Sequence, residues 1–122
     1  MGFSATPSEA LGALEPLLDG VRREMDQAIQ SEQPGLRELI PSVSHFRGKM
    51  LRPALTLTCA EVCGADPQSD AARVLSATVE LIHISTLVHD DVLDEADLRR
   101  NTPTINALQG NEAAVILGDW LI

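Results

Sequence analysis

Apolar side chains recur at three- and four-residue spacing through most of this 122-residue chain, with charged side chains between them. Residues 8–30 carry one apolar stripe opposite a face of Glu and Arg, the pattern of an amphipathic helix. Ser8 is a candidate N-cap, and Pro16 predicts a kink or a break into two helices. After a connector of turn residues, the pattern predicts a short helix over residues 36–44 and another over residues 53–63.

The longest apolar pattern covers residues 71–95, and Ser69 or Asp70 can cap its start. About 25 residues at 1.5 Å each give a helix of roughly 37 Å. Its apolar side chains fall nearly all round the helix, which predicts a buried central position. Asn111 is a candidate cap for a last helix over residues 112–122. The sequence therefore predicts an all-α fold.

Three carboxylates, Asp90, Asp91 and Asp94, lie at the C-terminal end of the long helix, and Arg99 and Arg100 follow. At about 100° per residue, Asp91 lies about 100° and Asp94 about 40° from Asp90, so they share one side. Like charges at this spacing cost roughly 0.2–0.5 kcal/mol per pair, and they also oppose the helix dipole. Mg²⁺ bound by Asp90 and Asp94, beside Asp91, would offset this cost. The alternative is a solvated acidic helix end that pairs with the two arginines.

A cationic cluster precedes the helix over residues 53–63. Lys49 and Arg52 lie three residues apart beside Gly48, and Pro53 follows at a position where a helix tolerates the missing N–H. Because a helix N-terminus has free N–H groups and partial positive charge, two cations there would form an anion site. The alternative is a basic loop that ends in a helix-starting proline.

Two segments resemble signature motifs of the trans-isoprenyl diphosphate synthases, and are most similar to the branch that makes long polyprenyl diphosphates. LVHDDVLD at residues 87–94, followed by DLRR at residues 97–100, resembles the first aspartate-rich motif of that family. GKMLRP at residues 48–53 resembles the GKxxRP signature, and Gly118-Asp119 also resembles the family. Asn101 stands where members often have Gly, and it too tolerates positive φ. A single DDxxD motif would be weak evidence for this family, whereas two motifs in this order are specific evidence for it.

The resemblance implies an isoprenoid-synthase-type helical bundle, of which this chain holds the N-terminal helices only. It implies a prenyltransferase that condenses isopentenyl diphosphate with an allylic prenyl diphosphate and depends on Mg²⁺. The implied catalytic residues are Asp90, Asp91 and Asp94, of which Asp90 and Asp94 bind the metal. The implied substrate-binding residues are Lys49, Arg52, His83 and Arg100 for isopentenyl diphosphate, and Arg99 for the allylic diphosphate.

The resemblance also implies that Ser85 and Thr86, just before the aspartates, set the product length, and their small size implies a long product. Taken alone, both residues can bond back to main-chain carbonyls, and His83 can be an ordinary core histidine. His89 lies on another face of the helix from the aspartates, so we expect a structural or supporting role.

Composition and charge limit the binding partners and the cellular location that we expect for this protein. The net charge of −9 disfavours nucleic acid and anionic membranes, which need a basic face. Cys59 and Cys63 lie one helical turn apart and are expected to be buried free thiols, which fits a reducing cytoplasm. The apolar runs are too short and too interrupted by charge for a transmembrane segment, and no signal-peptide pattern is present. Residues 1–6 match a loose N-myristoylation pattern without a second membrane signal.

The apolar residues Trp120, Leu121 and Ile122 close the sequence without a cap, and no second Asp-Asp pair occurs in it. The resembling enzymes carry a second aspartate-rich motif on a later helix. We therefore expect residues 1–122 to be the N-terminal part of a single polyprenyl synthase domain, inactive alone and homodimeric when complete. The alternatives are a non-catalytic or regulatory subunit that pairs with another chain, and a helical structural protein without a ligand.

Overall fold

The computed structural model describes residues 6–122, in which six α-helices and one short antiparallel hairpin follow one another along the chain. The elements are α1 (Pro7–Ala28), α2 (Pro34–Val43, continued by a 3₁₀ turn over Ser44–Phe46), α3 (Leu51–Val62), α4 (Asp70–Leu93), β1 (Leu98–Arg99), β2 (Thr102–Pro103), α5 (Ile105–Gln109) and α6 (Asn111–Leu121). The prediction of an all-α fold is confirmed. The hairpin and the short helix α5 were not predicted.

Helix α4 is the centre of the fold, since α1, α3 and α6 all pack against it. The residues at these contacts are aliphatic and almost fully buried: Leu18, Val21 and Met25 of α1, Leu57 of α3, Ile84 and Val88 of α4, and Leu117 of α6. Each fully buried side chain of this size contributes roughly 1.5–3 kcal/mol of transfer free energy. The chain therefore has an aliphatic core in spite of its low aromatic content.

One face of α4 is left uncovered by the other described residues. Val74, Leu75 and Ile82 are 46%, 55% and 43% exposed, so the prediction of a helix buried all round is wrong for this face. By length and composition, α4 is the one helix among residues 6–122 that could cross a membrane, contrary to the expectation that every apolar run is too short and too interrupted by charge. A central helix of a globular fold has the same composition, and α4 packs as one, so this observation is weak evidence for a membrane span.

The helix boundaries differ from the predictions at several points. Helix α1 runs through Pro16 without a break, because Leu11 and Leu14 before it and Leu18 and Val21 after it pack on the same core. Its N-cap is Thr6, not Ser8: the Thr6 hydroxyl accepts from the N–H of Glu9, and the Glu9 carboxylate accepts from the N–H of Thr6. Gly110, at a φ of 89°, takes the position before α6 that Asn111 was expected to hold.

Cys59 and Cys63 are both exposed, so the prediction of buried thiols is wrong. The helical spacing placed them on one side of α3 correctly, but the buried side of α3 is the one that carries Pro53, Ala54 and Leu57. Of the N-myristoylation match, residues 1–5 lie outside the described residues.

The hairpin pairs Leu98 with Pro103 and Arg99 with Thr102, which leaves Arg100 and Asn101 as a two-residue turn. Both turn residues have positive φ, at 49° and 63°, as a type I′ turn requires. Thr104 fixes the following chain, because its hydroxyl donates to the carbonyl of Ala96 at 2.7 Å and caps α5. The turn therefore separates the two arginines, one on a strand and one at the tip.

Candidate functional site

A cavity of about 190 Å³ brings together four of the residues singled out in the sequence: Lys49, Arg52, His83 and Arg100. They come from three separate segments: the start of α3, the middle of α4, and the hairpin tip. Lys49, Arg52 and Arg100 form no ion pair with a carboxylate of residues 6–122. The cavity therefore holds three cations that have no ion-pair partner among residues 6–122.

The backbone at the start of α3 positions two of these cations. Met50 precedes the helix in the left-handed conformation, with a φ of 59°, and its side chain is only 1% exposed. This buried anchor turns the chain into α3, with Lys49 just before the helix and Arg52 in its first turn. No side chain caps this helix end, so its first N–H groups stay available to an anion.

Arg100 reaches the cavity from the hairpin tip by packing on Gly48. A β-carbon at position 48 would lie 3.3 Å from Nη1 of Arg100, so glycine leaves the space that the guanidinium fills. Positive φ costs a non-glycine residue roughly 1–2 kcal/mol. Local backbone strain is thus accepted where it directs a cation into the site.

His83 is half-buried on the cavity wall. Burial lowers the pKa of His83, and the nearby charges of Arg52, Arg99 and Arg100 lower it further, with Asp90 acting in the opposite direction. Near neutral pH the imidazole is therefore uncharged, with one ring nitrogen as a donor and the other as an acceptor.

Glu80 also lines the cavity, and the sequence analysis missed it. It lies three residues before His83 on α4, is only 4% exposed, and has its pKa raised by burial, an effect that Arg52 partly opposes. The available signal was a charged residue inside the long apolar helix, one turn before a residue already placed at the site.

The acidic end of α4 separates its three carboxylates into two environments. Asp91 is 3% exposed, and its oxygens accept from Nε of Arg99 at 3.0 and 3.0 Å and from Nη2 at 2.8 Å. The hydrogen bond to Asp91 raises the pKa of Arg99, and burial opposes this with a smaller effect. Asp90 and Asp94 are exposed and form no side-chain ion pair within residues 6–122.

Asp90 and Asp94 suit a hard cation that is shared with a ligand. The N–H of Asp94 donates to the carbonyl of Asp90 at 2.8 Å, which places the two residues one turn apart at the end of α4. No group of three or more His, Cys, Asp or Glu side chains able to hold a metal occurs among residues 6–122. Mg²⁺ is usually held by one or two carboxylates plus phosphate oxygens and waters, so this pair fits Mg²⁺ only together with a phosphate ligand.

Ser85 and His89 lie at the contact of α4 with α6. Ser85 is fully buried, and its hydroxyl donates to the carbonyl of Gly118 at 2.8 Å. His89 Nε2 lies 3.2 Å from the carbonyl oxygen of Val115 and 3.4 Å from Oδ1 of Asp119. The supporting role expected for His89 is therefore a contact between these two helices.

Thr86 lies on the uncovered face of α4. It is exposed, and its hydroxyl donates to the carbonyl of His83 at 2.6 Å, as expected for a helical threonine. Of the two residues assigned to product length, only Thr86 therefore lies on a surface that a ligand can reach.

The fold and the site together define a helical protein with a cationic cavity and an acidic helix end on one central helix. The chain belongs to the polyprenyl synthetase family, whose model matches residues 33–122. It is 34% identical over 120 residues to nonaprenyl diphosphate synthase of Mycobacterium tuberculosis, covering 98% of this chain and 33% of that one. It is 35% identical over 105 residues to heptaprenyl diphosphate synthase component 2 of Bacillus subtilis, covering 86% and 30%.

Among solved structures, the chain is similar to a polyprenyl synthase from Caulobacter crescentus complexed with calcium and isoprenyl diphosphate. The TM-score is 0.85 at 33% identity, and the match covers 99% of this chain and 36% of that chain. The expected family is therefore confirmed. The chain spans about a third of the length of the relatives that it matches.

Proposed function

We propose that this chain supplies the diphosphate-binding helices of a trans-polyprenyl diphosphate synthase with a long-chain product. The reaction joins isopentenyl diphosphate to an allylic polyprenyl diphosphate. The observation that carries the proposal is the convergence of Lys49, Arg52, His83 and Arg100 on one cavity beside α4. Two unpaired carboxylates at the end of that same helix supply the second half of the site.

Isopentenyl diphosphate is the proposed occupant of the cationic cavity. Lys49, Arg52 and Arg100 neutralise its diphosphate, and Arg52 and Arg100 can each bind two oxygens through a planar guanidinium. His83 donates one hydrogen bond to the diphosphate through a ring nitrogen. Together they hold the isopentenyl double bond in a fixed position, which converts a bimolecular encounter into a local one.

The allylic diphosphate is the proposed ligand at the acidic end of α4, with Asp90 and Asp94 holding Mg²⁺ against its oxygens. When bound, Mg²⁺ supplies charge neutralisation of the departing diphosphate. Asp91 keeps Arg99 in place and leaves its Nη1 for the same diphosphate. In the reaction the allylic C–O bond breaks, the isopentenyl double bond attacks the allylic carbon, and one proton is lost from the isopentenyl unit.

The hydrocarbon tail is proposed to run along the uncovered face of α4, past Thr86 and Ile82. Thr86 then limits the tail directly, whereas Ser85 acts through the contact of α4 with α6. We expect the complete enzyme to be a cytoplasmic homodimer. The 122 residues alone are expected to bind diphosphates without completing the condensation, because they span a third of the relatives' length.

Titration calorimetry of the chain with inorganic diphosphate and Mg²⁺ tests the site. Arg52→Ala should weaken binding by about tenfold or more, since a charged hydrogen bond contributes about 1.5–3 kcal/mol. Arg37→Ala, which removes an exposed arginine outside the cavity, should leave it unchanged. Asp90→Ala should remove the Mg²⁺ dependence, and Glu38→Ala, at another exposed helical carboxylate, should not. Equal effects of the two arginine variants would contradict the proposal.

A condensation assay with labelled isopentenyl diphosphate and an allylic primer tests the activity. The assay compares this chain with one extended in its reading frame to the next natural stop. Activity of the extended chain that Asp90→Ala abolishes supports the synthase. Activity in neither, with a stable complex between this chain and a separate partner, supports the non-catalytic subunit, an arrangement that the relative named component 2 makes worth testing.

A further inference from the structure

Glu80 places a carboxyl group in the wall of the cationic cavity, and the proposed reaction gives it no role. The residue is 4% exposed, lines the cavity with Arg52 and His83, and forms no ion pair within residues 6–122. An ionised carboxylate at this position would repel a diphosphate. Its presence in an anion site therefore requires an explanation.

Four charged or titratable groups face Glu80 from the elements around the cavity. Lys49 and Arg52 come from the start of α3, His83 from the next turn of α4, and Arg100 from the hairpin tip. Without a ligand, burial raises the pKa of Glu80, and the charge of Arg52 opposes this with a smaller effect. A bound diphosphate engages the same cations and adds negative charge, so both changes favour the neutral carboxyl further.

We propose that Glu80 is a further diphosphate-binding residue, which takes up one proton from solvent as the ligand enters and donates a hydrogen bond to a diphosphate oxygen. The inference rests on the proposed function, since it needs a diphosphate in the cavity. The proton adds to the carboxylate, and no bond of the ligand forms or breaks. A neutral carboxyl is both a donor and an acceptor, so it adds a directional contact to a site otherwise built from cations.

Titration calorimetry with inorganic diphosphate, in buffers of different ionisation enthalpy across the pH range, measures the protons taken up on binding. Glu80→Gln keeps the shape and a hydrogen-bond donor but cannot ionise. Glu80→Met removes both the charge and the donor, and His83→Gln separates the contribution of the imidazole. Circular dichroism establishes that each variant is folded.

The wild-type chain should take up a proton that Glu80→Gln does not, and His83→Gln should retain that uptake. The affinity of Glu80→Gln relative to the wild type should rise with pH, by up to about tenfold per pH unit. The titration of the ligand is common to both proteins and cancels in this ratio. Glu80→Met should bind diphosphate more weakly than Glu80→Gln.

Equal proton uptake by the wild type and Glu80→Gln, or a pH-independent affinity ratio, would overturn this inference and leave the proposed function intact. The absence of diphosphate binding to the wild-type chain would overturn both. Should Glu80→Gln not fold, the comparison of wild type with Glu80→Met decides between the same outcomes.

Discussion

Gly118 allows α6 to pack closely on α4, and this contact gives a quantitative prediction. A methyl group at position 118 would overlap the imidazole of His89, whose Nε2 lies 3.2 Å from the carbonyl oxygen of Val115. Overpacking of this kind typically costs about 1–3 kcal/mol. Glycine inside a helix costs about 1 kcal/mol relative to alanine, so Gly118→Ala gains about that much from helix propensity. The cost of the overlap with His89 is the larger of the two effects. We therefore expect a net loss of up to about 2 kcal/mol.

The double variant separates the two effects. With His89→Ala present, the overlap is gone, so adding Gly118→Ala should stabilise the protein by about 1 kcal/mol. Gly12→Ala is the matched control, because Gly12 lies inside α1 with no atom within 4 Å of its added methyl. It should stabilise the wild-type protein by a similar amount.

Urea unfolding followed by circular dichroism measures all four variants on one scale. A Gly118→Ala protein that is as stabilised as Gly12→Ala would refute the reasoning. A double variant with no gain over His89→Ala would also refute it, because the overlap with the imidazole would then not be the source of the cost.

Three further predictions concern other contacts. A double-mutant cycle on Asp91→Ala and Arg99→Ala should give a coupling free energy of about 1–3 kcal/mol from urea unfolding, and additive effects would exclude the ion pair as a stabilising contact. Thr6→Ala should cost about 1 kcal/mol through the lost cap of α1, whereas Ser8→Ala should cost almost nothing in the same assay. Since burial raises the pKa of Glu80, folding favours its protonated form, and stability is lost as the pH rises from the usual carboxyl range towards neutrality. Glu80→Gln should therefore raise the melting temperature at neutral pH, and the gain should vanish in acid.

Features that depend on the spacing of residues close together in the sequence were predictable. Helical periodicity located the long helices, and the residues of the GKMLRP segment do meet His83 and Arg100 around one cavity. Helix α1 shows the limit of local rules. Pro16 removes one hydrogen bond, but packing on the core by residues on both sides of it outweighs that loss.

The remaining features depend on contacts between distant segments. Glu80 and Asp91 are buried because of what packs over α4, and periodicity does not reveal which carboxylates those neighbours enclose. Cys59 is the opposite case, a residue predicted to be buried that is exposed. The spacing showed that Cys59 and Cys63 share one side of α3, but not that this side faces solvent. The hairpin was missed because a two-residue strand carries no period, although positive φ at Asn101 was anticipated.

The hairpin turn also bears on how the adjacent arginines can diverge. Arg99 fastens the strand to Asp91, and Arg100 extends from the tip over Gly48. A descendant that replaced Arg100 with glycine would keep its architecture and relieve the strain of the positive φ, while giving up part of an anion site. A descendant that lost Arg99 would lose the ion pair that holds the hairpin to Asp91. The position of Arg100 at the hairpin tip would then be less well fixed. Two identical amino acids, side by side, therefore tolerate replacement unequally, and the one outside the cationic cavity, Arg99, is the one whose loss disturbs the hairpin.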